Sequence, residues 1–483
     1  MAQSPGLTME PQILTDDPFR WVDDYIAHVG KHFEVRREDQ LLIVMPNRAV
    51  KLNETGLRVL RFLKDGGSIF EVLAKLDADQ KRRSDLFYFL CDFRSLMTGC
   101  LGEGRGRKAV DSSQHVHPFN LLPVLAEAAL TYRCNLRCRF CYAGCTCQGP
   151  KEGSNQELTT NQVVRILNII RNDARVPSVS FTGGEPTLRS DLVELTAEAT
   201  RIGLRVNLIT NGTLLAGPRR GFHSDKADAL REAGLESAQV SLEGPNSEIH
   251  DNLTGVSGSF EKTLSGLAAL RRAGIHVHTH TTINTVNAPH LKDLVRLISE
   301  LGLRRLSMNM IVPAGTALDR SIQVSYRQIG ELVEQVRVES RRLGVEFMWY
   351  SPTPMCIFNP LAFGLGNKSC AACDGLLSIS PTGDVLPCSS YPEPVGNLLR
   401  EPFESVWKAA RSRFFREKKY APTECADCEE FIACAGACPL YWSAMGTEEL
   451  APSSTGASKS VYHPNEGMIT SSPGPTPSPA IAQ

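Results

Sequence analysis

Thr131-Tyr132-Arg133-Cys134-Asn135-Leu136-Arg137-Cys138-Arg139-Phe140-Cys141 decides the reading of this chain. Three cysteines at C-x3-C-x2-C spacing directly follow a run with strand character, residues 127–132. Three thiolates can hold three irons of a [4Fe–4S] cube and leave the fourth iron open to a small molecule. The main rival is zinc, but a structural zinc site usually closes with four ligands. Three ligands at the end of a strand suit an open iron site better.

Outward from that loop, residues 121–345 alternate strand and helix. The expected strands are 127–132, 178–181, 205–210, 237–242, 276–283 and 305–311, with helices such as 161–172, 191–202, 260–273 and 289–301 between them and a last helix over 326–343. Six such β–α units predict an α/β fold, a parallel sheet curved into a partial (β/α)6 TIM-type barrel. Sites in parallel α/β folds lie at the carboxyl ends of strands. The second strand ends in Gly183-Gly184-Glu185-Pro186, where glycines let the backbone come close to a ligand. The third ends in Thr210-Asn211-Gly212, the fourth in Ser241-Leu242-Glu243-Gly244 and the fifth at Asn284. Turn chemistry also accounts for Asn-Gly and Glu-Gly pairs. For Glu243 and His250 a solvated face is as good an account as a role in the substrate step.

The cysteine loop, followed by Gly-Gly-Glu-Pro at the end of the next strand, resembles the radical SAM superfamily. The resemblance implies that Cys134, Cys138 and Cys141 hold a [4Fe–4S] cluster whose open iron takes the methionine end of S-adenosylmethionine (SAM). In that family an electron from the cluster breaks the sulfonium C–S bond, and a 5′-deoxyadenosyl radical takes a hydrogen from the substrate. Carried over, Gly183, Gly184, Glu185 and Pro186, with Asn211 and Ser241, contact SAM. Cys145 and Cys147 are then spare thiols, because the ligand set is complete without them.

A second cysteine zone reads Cys373-x9-Gly383-x4-Cys388, then Cys425-x2-Cys428-x5-Cys434-x3-Cys438. It resembles the SPASM extension of radical SAM enzymes, which implies one or two auxiliary [4Fe–4S] clusters. Carried over, Cys388 and Cys438 belong to the first with two of Cys356, Cys370 and Cys373, of which Cys370 and Cys373 are favoured. Cys425, Cys428 and Cys434 belong to the second. The family pattern has one more cysteine after Cys438, and this chain has none. An open iron, a ligand such as His463 or a glutamate, or no second cluster are the alternatives, and zinc knuckles are the rival for the whole zone.

Before residue 110, two strand-like runs, 32–36 and 41–45, precede three helical stretches, the first capped by Asn53 and ended by Gly66-Gly67. This winged-helix-like unit, with Val50-Lys51-Leu52-Asn53-Glu54-Thr55-Gly56, resembles PqqD-like peptide-recognition domains. The resemblance implies that it holds the leader of a ribosomally made precursor peptide as an added strand. The expected organisation is a recognition domain (1–110), the partial barrel (121–345), a Cys-rich, loop-rich auxiliary-cluster domain (350–443) and a disordered tail (446–483) rich in Pro, Ser, Thr and Gly.

The bulk numbers narrow the partners. Of 483 residues 52 are Lys or Arg and 53 Asp or Glu, so no basic field points to nucleic acid. No apolar run nears the ~20 residues of a membrane span, and the first 17 residues lack signal-peptide blocks. A cytoplasmic protein is expected. Its 15 cysteines, in a reducing compartment, then point to metal more than to disulfides. The partners implied are a precursor peptide and a reducing electron donor. The competing functions are tetrapyrrole or other cofactor biosynthesis, and a non-catalytic iron–sulfur sensor or scaffold.

Overall fold

The computed structural model describes residues 17–45, 48–76, 79–98, 120–144, 157–216 and 226–450. Near the start, α1 (Val22–Val29) precedes an antiparallel sheet of β1 (Phe33–Arg36), β2 (Leu41–Val44) and β3 (Arg48–Lys51), in that spatial order. The third strand was not anticipated. Arg48 and Lys51 are exposed and Ala49 and Val50 only half-buried, so this edge strand carries no apolar alternation to announce it. Three helices follow, α2 (Glu54–Lys64), α3 (Ile69–Lys75) and α4 (Gln80–Met97). Asn53 caps α2 by accepting from the Gly56 amide, and Ser68 and Glu71 form a capping box on α3. Phe33, Leu60, Ile69 and Leu90 fill the core of this unit.

A buried side chain is central to the docking of this unit on the remainder of the chain. Arg36 pairs with Asp39 through two hydrogen bonds and also donates to the carbonyls of Pro123, at 2.7 Å, and Leu122, at 2.9 Å. Leu41 and Ile43 pack against Val124 beside it.

A ten-stranded sheet follows. Its parallel part comprises β4 (Leu125–Thr131), β5 (Ser178–Gly183), β6 (Arg205–Thr210), β7 (Ser237–Ser241), β8 (His276–Ile283), β9 (Arg305–Met310) and β10 (Glu346–Trp349). Each strand pairs with the next in sequence, the winding of an open partial barrel. The six expected strands are all present, and the sheet extends past them at both ends. At one end β10 pairs with β9, Glu346 opposite Arg305. At the other, β11 (Leu376–Ile379) lies parallel to β4 and continues into β12 (Asp384–Leu386) and β13 (Gly396–Asn397). The Cys-rich region therefore shares the central sheet instead of forming loops alone.

The crossover helices include α5 (Thr160–Asn168), α6 (Leu192–Arg201), α7 (Lys226–Glu232), α8 (Ser247–Thr254), α9 (Ser259–Arg272), α10 (Leu291–Glu300) and α11 (Tyr326–Arg342). Their apolar faces bury Val179, Phe181, Leu208 and Val240 of the sheet. Part of the expected tail is also built in. Glu449 accepts from the Arg327 amide at 2.9 Å and from the Tyr441 hydroxyl, so residues 446–450 are ordered against α11. Residues 451–483, like Cys145, Cys147 and His463, lie outside the described residues. Among the described residues no helix is long and apolar enough to cross a membrane.

Candidate iron–sulfur and cofactor site

The cysteine loop leaves β4 at Thr131 and is held from two sides. The amides of Arg137 and Arg139 donate to the carbonyls of Thr254 and Leu253 at the end of α8, at 2.8 and 3.0 Å. On the other side the Thr316 hydroxyl donates to the Cys138 carbonyl at 3.0 Å and accepts from the Cys141 amide at 2.9 Å. Thr316 was not singled out in the sequence, since it arrives from 175 residues away with no local pattern. Gly315 precedes it at φ +59, where an added Cβ would meet the carbonyls of Cys141 and Tyr142.

Cys134, Cys138 and Cys141 line one cavity of about 440 Å³. The Cys138 thiol is pushed well above its ordinary value, first by burial and then by Glu243 and the other two cysteines facing it. Three thiols that repel each other as thiolates form a set that a bound cation relieves. Gly183 and Gly184 line the same cavity. Gly183 has φ +132, and a Cβ on either glycine would collide with the carbonyl oxygens of Thr131 or Arg133. The backbone at this strand end is thus pressed against the root of the cysteine loop.

Glu185 and Pro186 do not line the cavity. The fully buried Glu185 carboxylate accepts from Thr187 N and Oγ1, Thr210 Oγ1 at 2.8 Å and Asn211 N at 2.8 Å. Burial raises its pKa, and these four donors pull it back. With its lone pairs taken by protein, this side chain ties β5 to β6 and shapes the wall. Asn211 and Ser241 do line the cavity. Asn211 also reaches the cysteine loop, its Nδ2 donating to Asn135 Oδ1 at 2.9 Å. Asn284 is fully buried and spends its side chain on the Thr282 carbonyl and the amides of Val286 and Asn287.

Glu243 and His250 are not a solvated face. Both are buried and both line the cavity. Burial raises Glu243 to about 8, against one hydrogen bond from the Thr282 amide. His250 Nδ1 accepts from the Glu243 amide at 3.1 Å, its Nε2 has no partner among the described residues, and burial lowers it to about 4. Their spacing seven residues apart on a turn and helix gave no sign of this inward placement.

The second cysteine zone falls into two groups. Cys370, Cys388 and Cys438 line the same cavity as the first cysteine loop. Burial and the Cys370 thiol push Cys438 up to about 12. Cys373 stands behind them at φ +47, 1% exposed, with Ser412, Arg416 and Lys418 facing its thiol beside Cys370. Cys425, Cys428 and Cys434 form the other group, and Cys356, considered above for the first group, lies with these instead. Among the described residues no three His, Cys, Asp or Glu side chains converge tightly enough to share one metal ion.

Comparison with known proteins agrees with this geometry. The radical SAM superfamily matches residues 129–309, and the SPASM iron–sulfur cluster-binding domain matches residues 370–429. The AdoMet-dependent heme synthase of Methanosarcina barkeri is 31% identical over 342 residues, covering 67% of this chain and 93% of the relative. The PqqA peptide cyclase of Ruegeria pomeroyi is 28% identical over 325 residues, covering 65% of this chain and 82% of the relative. In fold, Streptococcus suis SuiB bound to S-adenosylmethionine superposes with a TM-score of 0.60 at 18% identity, over 85% of this chain and 95% of that one. The chain belongs to the radical SAM superfamily, as an enzyme that uses a [4Fe–4S] cluster and S-adenosylmethionine and carries a SPASM auxiliary-cluster domain.

Proposed function

We propose that this enzyme is a peptide maturase, which takes a hydrogen from a residue of a ribosomally made precursor peptide whose leader sits on the N-terminal unit. The observation that carries this is the attachment of that unit to the barrel through the buried Arg36–Asp39 pair. A recognition unit fixed to the catalyst raises the local concentration of a leader-bound peptide at the site. Its β3 is an edge strand, the place where an extended peptide adds to a sheet. The fold shared with SuiB, a protein also seen bound to its precursor peptide SuiA, spans more of this chain than residues 120–483 make up, and so extends into this unit.

In this reading Cys134, Cys138 and Cys141 hold the cluster, and Gly183, Gly184, Asn211 and Ser241 face SAM. When bound, the cluster and SAM supply the one-electron reductive cleavage and the hydrogen-abstracting radical. The protein's own share is placement and exclusion of water. Thr316 and Asn211 fix the cysteine loop, Glu185 ties the strand ends, and His250 Nε2 is left to meet a ligand. Glu127, held near 7 by burial against a Ser389 hydrogen bond, stands in the cavity wall with His280 and Tyr350, beside Cys388. Cys370, Cys388 and Cys438, with Cys373, hold a first auxiliary cluster, and Cys425, Cys428 and Cys434 a second. The cytoplasm, with a reducing electron donor, suits these thiols.

A second reading is modification of a tetrapyrrole. It is favoured by the 30–31% identity to heme synthases, higher than to the peptide cyclases. The test uses the full-length anaerobic holoenzyme with SAM, a reductant, and either peptides encoded by short reading frames beside the gene or an iron porphyrin. Tight binding and a hydrogen-loss mass change in one peptide are expected. Turnover of the porphyrin with no peptide bound would replace the first reading by the second.

A further inference from the structure

The second thiol group lacks the fourth cysteine that its family pattern supplies after Cys438. Another thiol approaches this group from the opposite direction. After β10 the chain crosses to this group, and the Met355 amide donates to Cys434 Sγ at 3.4 Å. Cys434 Sγ in turn approaches the Thr353 carbonyl at 4.0 Å. The next residue, Cys356, therefore stands at the rim of the group, and the thiols facing Cys425 are those of Cys434, Cys356 and Cys428. Glu424 also faces Cys425, but its carboxylate already accepts from Thr447 Oγ1 at 2.8 Å and Thr423 Oγ1 at 3.2 Å. Cys356 lies outside residues 370–429, which the SPASM domain matches, so its place follows from packing alone.

We propose that Cys356 is the fourth ligand of the second auxiliary [4Fe–4S] cluster, closing a four-thiolate set with Cys425, Cys428 and Cys434. Four thiolates leave no iron open, whereas the three of Cys134, Cys138 and Cys141 leave one. The second cluster then carries electrons and does not bind substrate. Cys356 and Cys428 are both exposed, which places this cluster at the protein surface.

The proposal rests on the reading that Cys425, Cys428 and Cys434 hold a cluster, and one arm tests that reading separately. Full-length Cys356→Ala, Cys356→Ser and Cys428→Ala are reconstituted anaerobically beside the parent protein. Iron content and EPR of the oxidised and reduced proteins are then measured, with circular dichroism to confirm the fold. Cys356→Ala and Cys428→Ala are both expected to lose iron and gain a three-iron signal. Cys356→Ser, which keeps an oxygen ligand, should retain the iron with a shifted reduction potential. Iron and EPR unchanged in Cys356→Ala while Cys428→Ala loses its cluster would overturn the proposal and leave that cluster intact. No change in either would overturn both, and neither result depends on the peptide reading.

Discussion

Thr316 and Cys141 exchange two hydrogen bonds: the Thr316 amide donates to the Cys141 carbonyl, and the Cys141 amide donates to Thr316 Oγ1, both at 2.9 Å. The same hydroxyl donates to the Cys138 carbonyl. One side chain thereby sets the positions of two of the three thiols in the loop. Thr316→Val keeps the shape and removes the hydroxyl, leaving the Cys141 amide and Cys138 carbonyl to find other partners. The cost to the closed loop is about 1–2 kcal/mol, so iron should pass to a chelator roughly five- to thirtyfold faster. An unchanged rate would mean that the contacts of Arg137 and Arg139 to α8 hold the loop unaided.

The close approach of Gly184 to the cysteine loop leads to a different expectation. A Cβ there meets the carbonyls of Arg133 and Tyr132, which are backbone and cannot swing aside. Gly184→Ala should push the strand end away from the cavity at a cost of about 1–3 kcal/mol. SAM affinity, measured by equilibrium dialysis on the reconstituted protein, should fall by roughly tenfold, with cluster content preserved. Wild-type SAM affinity in this variant would remove the close approach from the binding site.

Local spacing made these two features unequal in the sequence. The cysteine triad and the Gly-Gly turn are short-range patterns at strand ends, so they could be read directly, as could the strands over 205–210 and 276–283. Thr316 is brought to Cys141 only by the crossover after β9. Glu346–Trp349 is four residues long, and Leu376–Ile379 gains its strand character from pairing with Leu125–Ala128. Such pairings are tertiary choices that override weak local preference. Cys356 belongs to the same class: a chain crossing, not a spacing, sets it beside Cys434. The inward placement of Glu243 and His250 stayed open in the sequence because a charged residue's burial depends on what packs over it.

The docking of the N-terminal unit depends on Arg36, whose side chain is 2% exposed and that of Asp39 1%. Arg36→Ala leaves Asp39 buried with its guanidinium partner gone and the Pro123 carbonyl without its donor, while Asn120 Nδ2 still donates to the Leu122 carbonyl. Breaking a buried pair in this way costs about 3–5 kcal/mol. The unit should separate from the barrel, read as faster hydrogen exchange of the Leu121 amide that donates to Asp39 Oδ2, while SAM cleavage without peptide continues. If the peptide reading is right, precursor turnover should fall much further than this uncoupled cleavage. Equal losses in both would make the unit a structural support only.

His278 and His280, side by side on β8, should make stability depend on pH. Burial lowers His280 to about 4, its nitrogens lying 2.9 Å from Ser307 Oγ and 3.1 Å from Asn309 Oδ1. Burial lowers His278 to about 3, with His280 and Arg305 adding to the effect. Both rings are neutral in the folded protein at neutral pH, as they are in the unfolded chain above its ordinary value near 6.5. Below that value the unfolded chain takes up protons that the folded one refuses, so stability rises with pH across this interval. It should fall as pH drops from about 6.5 toward 4, by about 2–3 kcal/mol after allowance for partial exposure. The check is the urea midpoint of the anaerobic holoenzyme at about pH 7.5 and about pH 5. Acid also attacks the clusters, so the quantity to compare is the difference between the parent and a His278→Gln/His280→Gln variant. The variant should lose less stability on acidification, because glutamine has no proton to take up. Parallel losses in the two proteins would show that these rings are solvated enough to titrate normally, and would open the β8 wall of the cavity to water.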